Sequence, residues 1–403
     1  MLPKKPVRKR NVYLDHAAST PLDTRVREAM EPWIFEHWGN PSAIYAMGIE
    51  AKVGIEKARF KVAETLHTQP DTIFFTSGGT EANNMALFGI ARAHAEHGKH
   101  IIATSIEHQS VLKPLEQLER EGFKVSYLKP DSFGCVNVDE LFDLIRPDTI
   151  LLSIMYANNE IGVINPLVEI GKRILKSRKQ RGSPYPYFHT DACQAAASLD
   201  LSVERLHVDS LTLNGSKIYG PKGVGTLFIR RGLISGPFIY GGGQENSMRG
   251  GTENVAGIIG FAEALKLLSE EEKLNTACMR DLRDRFYGLL SERISDIALN
   301  GPPLERHDRL ANNLNIRFKG IESEALLLYL DEYGTQCATG SACASHDSQG
   351  SHVLRAIGLS KEALSESLRF TLGKNTTAED IDYVMEYLPG LVEALRRMRR
   401  ASI

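Results

Sequence analysis

What most constrains the fold of this chain is a regular alternation. Short apolar strand-like runs are each followed by glycines and polar side chains, then by a helical stretch. Thr72–Thr76 (TIFFT) reads as a strand, with a helix from about Thr80 to His94. His100–Thr104 (HIIAT) is a second strand, and Gln109–Glu121 a helix whose apolar residues Val111, Leu115 and Leu118 recur at helical spacing. Lys124–Leu128, Thr149–Tyr156, Tyr187–Thr190, Ser210–Leu213 and Gly225–Ile229 continue the strands, with a short helical piece at Asp139–Ile145. Such alternation predicts an α/β fold: a mainly parallel sheet covered by helices on both faces.

From about Thr252 to Ile294 the pattern turns helical and crosses to a smaller α/β unit. That unit has a strand at Asn313–Phe318 and helices at Ser323–Tyr333, Lys361–Glu366 and Ala378–Arg400. At 403 residues the chain exceeds the size at which one core usually stops growing, so two domains are expected. We assign 1–11 to a basic tail, 12–262 to a large domain and 263–403 to a small one. The segment up to about residue 25 is a candidate to join the small domain, and a polar loop spans about 338–351.

The formal charge of −2 gives no general reason to expect nucleic acid or an acidic membrane as partner. No apolar run approaches a membrane span, and the basic, proline-broken start MLPKKPVRKR lacks a signal core. It reads as a short solvated tail. Five scattered cysteines without a C-x-x-C pair argue against a disulfide framework or a zinc site and favour a reducing cytoplasm.

In open parallel sheets, ligands bind beyond the carboxyl ends of the strands. Here Ser77-Gly78-Gly79-Thr80-Glu81, Glu107-His108, Asn158-Asn159-Glu160, Asp191-Ala192-Cys193-Gln194 and Asn214-Gly215-Ser216-Lys217 all fall in that position. One such loop means little; five outline a site. S-G-G-T-E at a strand-to-helix turn suits an anion, although taken alone it reads as a helix cap by Ser77 or Thr80. Lys217 in a glycine-rich turn is a candidate for Schiff-base formation, against the ordinary reading of a solvated charge; Lys222 is its local competitor.

Asp191 after an apolar-aromatic strand needs a partner, and a pyridinium nitrogen would serve; the plain alternative is a helix N-cap. His108 reads as a helix-start residue or as an imidazole stacked on a cofactor ring and moving protons. Cys343 lies in A-T-G-S-A-C-A-S-H-D-S-Q-G, which has no large apolar residue to bury it. A thiol there, ordinarily with a pKa of about 8.5, needs only a modest shift to ionise. Cys193 and Cys337 read as packing residues.

Taken together, these residues resemble the cysteine desulfurases of the class V aminotransferase family, over almost the whole chain. The carrying motifs are Y-L-D-H-A-A-S-T-P from Tyr13, G-N-P-S from Gly39, T-S-G-G-T-E-A-N-N from Thr76 and Glu107-His108. They continue with N-N-E-I-G from Asn158, D-A-C-Q from Asp191, G-S-K-I-Y-G-P-K-G, G-S-A-C and R-F-T-L-G from Arg369. The resemblance implies the fold type I of pyridoxal 5'-phosphate (PLP) enzymes, with a seven-stranded sheet. It implies that Lys217 binds the cofactor, Asp191 holds its ring nitrogen and His108 stacks on the ring. Asn159 and Gln194 would lie near the phenolic oxygen. Gly79, Thr80 and Ser216 would contact the phosphate, joined by Thr252 from the second subunit of a homodimer. Arg369, assisted by Asn40, would clamp the carboxylate of L-cysteine. Cys343 would take the sulfur as a persulfide, release alanine and pass the sulfur to an acceptor protein in iron–sulfur assembly or thiolation.

Departures from the family pattern are visible. Asn214-Gly215-Ser216 stands where Ser-Gly-His is common, which alters two phosphate contacts, and Cys193 replaces a frequent threonine. The chain also stops at Ile403, short of the tail with which some relatives dock an iron–sulfur scaffold. The alternatives left open are a selenocysteine lyase or another class V enzyme, and a non-catalytic sulfur-relay scaffold.

Overall fold

The computed structural model describes residues 2–4, 10–234, 236–340 and 350–401. After β1 (Val12–Tyr13), seven strands form one sheet: β2 (Ile73–Thr76), β3 (His100–Thr104), β4 (Lys124–Leu128), β5 (Thr149–Ser153), β6 (Tyr187–Asp191), β7 (Ser210–Asn214) and β8 (Gly225–Ile229). Their order is β2-β8-β7-β6-β5-β3-β4, and only β8 runs against the others. The expected mainly parallel, two-faced sheet is present.

Side chains alternate across that sheet. Ile101, Ala103 and Leu151 pack with the helices Gly79–Ala93 and Gln109–Arg120, whereas Ile102, Leu152, Phe188 and Leu211 pack on the opposite face. Both faces are buried, so the strands read as continuous apolar runs. The fifth strand stops at Ser153, three residues before the expected end, because the Met155 N–H is diverted to the Glu107 carboxylate at 2.8 Å.

A second, antiparallel sheet has the order β12-β10-β9, from β9 (Ile297–Asn300), β10 (Asn313–Phe318) and β12 (Ser367–Thr371). Its core joins Leu314, Ile316, Phe318, Leu368 and Phe370 to the helix Ala378–Ala401. β1 pairs with β11 (Thr335–Gln336), which brings Val12 and Leu14 into this core. One 39-residue helix, Val255–Arg293, links the two bodies. Ile258, Phe261 and Leu265 on its first half enter the core of the large sheet, and Phe286 and Leu290 enter the second core.

Three helices, Thr24–Phe35, Ala46–Thr65 and Leu167–Arg181, were not expected from the sequence. The second buries small residues, Gly48, Ala51, Gly54 and Ala58, while Ile49, Val53 and Phe60 face outward. Apolar residues therefore lie all round it and no amphipathic stripe shows in the sequence. A Cβ on Gly54 would lie 2.5 Å from the Trp33 ring, so glycine is what lets the first two helices touch. Among the described residues no helix is long and apolar enough to cross a membrane.

Two histidines lie wholly inside the large sheet. His189 bonds Ser153 and Thr212, and His100 bonds Thr149 and Ser126. Burial pulls the pKa of each from 6.5 down to about 4. The unfolded chain then takes up protons that the fold refuses, so stability is lost as pH falls from about 6.5 toward 4. For His189 alone the loss between pH 7 and pH 5 is about 2 kcal/mol. Denaturant titrations at both pH values are expected to show His189→Gln narrowing the wild-type difference by about that amount.

Candidate active site

A cavity of about 180 Å³ lies where the strands of the large sheet end, and Lys217, His108, Asp191, Asn159, Gln194, Gly79, Thr80 and Arg369 all line it. The loop after β7 supplies Lys217, which ends a short 3-10 turn, Gly215–Lys217. Its Nζ donates to the carbonyl of Ala17 at 2.9 Å and to that of Ala18. The Gln194 amide meets the same Ala17 carbonyl at 2.9 Å. The Y-L-D-H-A-A segment thus forms one wall of the site through its backbone.

Asp191 closes β6 and is buried. Its Oδ2 accepts from the Asn83 amide at 2.7 Å and its Oδ1 from the Cys193 N–H at 3.0 Å. Neither partner is a cation, so the carboxylate sits in the cavity wall with its charge unmatched by these two donors, and a protonated ring nitrogen suits it. The helix Gly79–Ala93 begins at Gly78, whose φ of +152° favours glycine and whose lack of a side chain leaves no side-chain cap. Ser77 instead donates its hydroxyl to Glu81, so the capping reading of Ser77 or Thr80 does not hold. A Cβ on Gly79 would come within 2.9 Å of the Cys193 sulfur. An uncapped helix start edged by glycine is fitted to a phosphate group.

Arg369 reaches the cavity from β12 of the second sheet and is only 1% exposed. One guanidinium nitrogen donates to Asp15 at 2.6 Å and another to the Asn159 carbonyl at 3.1 Å. Its Nε is buried and has no hydrogen-bond partner among the described residues, so the guanidinium is not saturated by Asp15 and Asn159. His108 holds the helix-start position expected of it and also faces the cavity. It caps the helix Gln109–Arg120, its Nδ1 accepting from the Ser110 N–H. Beside it Glu107 is fully buried, which pushes its carboxyl up to about 8.

Other expected residues lie elsewhere. Ser216 is half-buried beside Lys217 but does not line the cavity; its N–H meets the Asn214 side chain at 3.3 Å. Asn40 is exposed and its side chain holds the Ser42 N–H at 2.9 Å, so this chain does not bring it to Arg369. Thr252 is exposed and away from this chain's cavity. Cys343, with the segment 341–349, lies outside the described residues.

Cys193 does line the cavity, but burial raises its thiol pKa well above the ordinary value, which makes it a poor nucleophile. Burial likewise raises the Cys337 thiol, consistent with packing, and pushes Cys135 up to about 12. Sequence reading missed Asp15, Asn83 and Ser110, although all three stand in or beside the motifs it singled out. Among the described residues no group of three or more His, Cys, Asp or Glu side chains is placed to hold a metal ion.

Residues 12–384 match the family described as aminotransferase class-V. The chain is 48% identical over 388 residues to a cysteine desulfurase IscS of Dictyoglomus turgidum, covering 96% of each chain. It is 47% identical over 388 residues to a cysteine desulfurase IscS of Methanosarcina thermophila, covering 96% of this chain and 93% of that one. A solved NifS-like protein superposes with a TM-score of 0.88 at 37% identity, over 96% of this chain and 100% of that one. SspA, solved in complex with cysteine, does so with a TM-score of 0.77 at 33% identity, over 91% and 100%. With a cavity that meets the needs of a pyridinium ring, a phosphate and a carboxylate at once, the chain belongs to the PLP-dependent cysteine desulfurases of the class-V aminotransferase family.

Proposed function

We propose that this protein converts L-cysteine to L-alanine and carries the released sulfur as a persulfide on Cys343. The observation that carries the reading is the convergence of Lys217, Asp191, His108 and Arg369 on one cavity. The relatives named cysteine desulfurase and the cysteine bound to SspA support it.

Bound PLP supplies the electron sink that stabilises negative charge on carbon next to the substrate nitrogen. Asp191 would keep the ring nitrogen protonated, and the glycine-edged helix start, with Thr80, would hold the phosphate. Lys217 would hold the cofactor, and its Nζ would remove and return protons at the substrate carbon. Asn159 and Gln194 orient the phenolic oxygen. Arg369 would receive the substrate carboxylate through its guanidinium. The Cys343 thiolate attacks the substrate sulfur, an S–S bond forms, and the carbon–sulfur bond breaks with its electron pair on carbon. That carbon then takes up a proton, and alanine leaves.

Apolar side chains on the first two helices and the turn between them stand in solvent, including Phe35, Trp38, Ile44, Tyr45 and Phe60. Such a surface fits a second copy of the chain, which would bury it and deliver Thr252 to the opposite cavity. The persulfide then passes to a protein thiol serving iron–sulfur assembly or thiolation.

Purified holoenzyme given sulfur-labelled L-cysteine is expected to release alanine and retain label on Cys343. Alanine without label on that residue would remove the persulfide step. Arg369→Ala is expected to raise KM for L-cysteine about 10- to 100-fold, the scale of a lost charge-assisted hydrogen bond. An unchanged KM would move the carboxylate site elsewhere.

A further inference from the structure

His108 and Asp191 are joined by a directed chain of hydrogen bonds. The Asn83 amide nitrogen has two hydrogens; one goes to Asp191 Oδ2 at 2.7 Å and the other to Ser110 Oγ at 2.8 Å. Having accepted from Asn83, the Ser110 hydroxyl has its own hydrogen to give, and His108 Nδ1 lies 2.8 Å away. The Ser110 backbone N–H, which has no acceptor capacity, also points at Nδ1, at 3.1 Å. Turned over, the buried Asn83 amide would set its oxygen against the Asp191 carboxylate, so its orientation is fixed.

A hydrogen on Nδ1 would face the Ser110 N–H head-on and undo the helix cap. Only an unprotonated Nδ1 accepts both Ser110 donors. The hydrogen of a neutral imidazole then resides on the other nitrogen, since the bond made by one ring nitrogen fixes the state of its partner.

We propose that Ser110 and Asn83 are positioning residues that lock neutral His108 with its hydrogen on Nε2. His108 therefore acts in the reaction as a fixed N–H donor at Nε2 and not as a base. Proton removal from the substrate carbon falls to Lys217 Nζ, on the strand-end loop next to Asp191. The same Asn83 amide orients the carboxylate that faces the cofactor nitrogen, so one buried side chain sets both groups. This deepens the reading of His108 given above and rests on it.

Two measurements test the inference. In 15N-histidine spectra of the holoenzyme, with His108 assigned by difference from His108→Gln, the neutral ring is expected to show an unprotonated Nδ1 and a protonated Nε2. Ser110→Ala, checked for folding by its retained cofactor absorbance, loses the hydroxyl but keeps the backbone N–H at Nδ1. It is expected to keep the Nε2 tautomer, to shift the Nδ1 resonance toward that of a less strongly bonded nitrogen, and to lower kcat with KM little changed. A hydrogen on Nδ1 in the wild type, or an unchanged Nδ1 resonance and kcat in Ser110→Ala, overturns the proposal.

The second measurement is rescue. Glutamine keeps an N–H donor but is no base, so His108→Gln is expected to stay within about tenfold of wild-type kcat while His108→Ala falls ~100-fold or more. Equal, large losses in both variants overturn the donor role. Full turnover in His108→Ala would instead strike at the earlier reading, by removing His108 from the reaction altogether.

Discussion

Lys217→Ala is expected to lower alanine formation from L-cysteine ~10³-fold or more and to abolish the visible absorbance of lysine-bound cofactor. Both effects follow from one side chain. Its amine lies in the cavity, held by the Ala17 and Ala18 carbonyls, on the loop that follows the strand next to Asp191. Removing it takes away the covalent anchor and the group that moves protons at the substrate carbon, and general acid–base contributions alone reach ~10²–10⁴-fold. Lys222, the competing lysine, lines a separate groove with Tyr13, His16 and Asn375, outside the Lys217 cavity. Lys222→Ala is therefore the control. A visible band that survives in Lys217→Ala and vanishes in Lys222→Ala would reverse the assignment.

Cys343→Ala is expected to cut alanine release by a similar ~10³-fold while leaving cofactor absorbance intact, because the nucleophile is lost and the cavity is not. Of the cysteines among the described residues, only Cys193 lines the cavity. Cys193, at the cavity wall, is kept as a neutral thiol by burial, and Cys135 is pushed up to about 12 by burial and by the neighbouring Asp308. Near-normal alanine release from Cys343→Ala would point to a selenocysteine lyase or another class V chemistry. The two variants separate the failures: one tests the cofactor anchor, the other the sulfur acceptor.

The large sheet was legible because its strands are apolar on both faces. His100–Thr104 and Gly225–Ile229 fall where the sequence put them. Residues whose chemistry follows directly from a strand end, such as Asp191 and Lys217, were legible for the same reason. Asn83 and Ser110 were not, because their importance lies in partners distant along the chain; Asn83 meets Asp191 108 residues away. Asp15 was hidden in the same manner, since its role appears only when β1 pairs with β11 and Arg369 arrives on β12. The helix Ala46–Thr65 escaped because Ile49, Val53 and Phe60 on its outward face blur the apolar stripe that its inward face would otherwise show.

The pairing of Asp15 with Arg369 has a consequence for synthesis. The carboxylate clamp is made from a residue near the first end of the chain and one 354 positions later. Chain order supplies all seven strands of the large sheet, with Lys217 and Asp191, by Ile229, and the first half of the helix Val255–Arg293 that completes their core follows. The grip on the amino acid cannot form before β12 has been made.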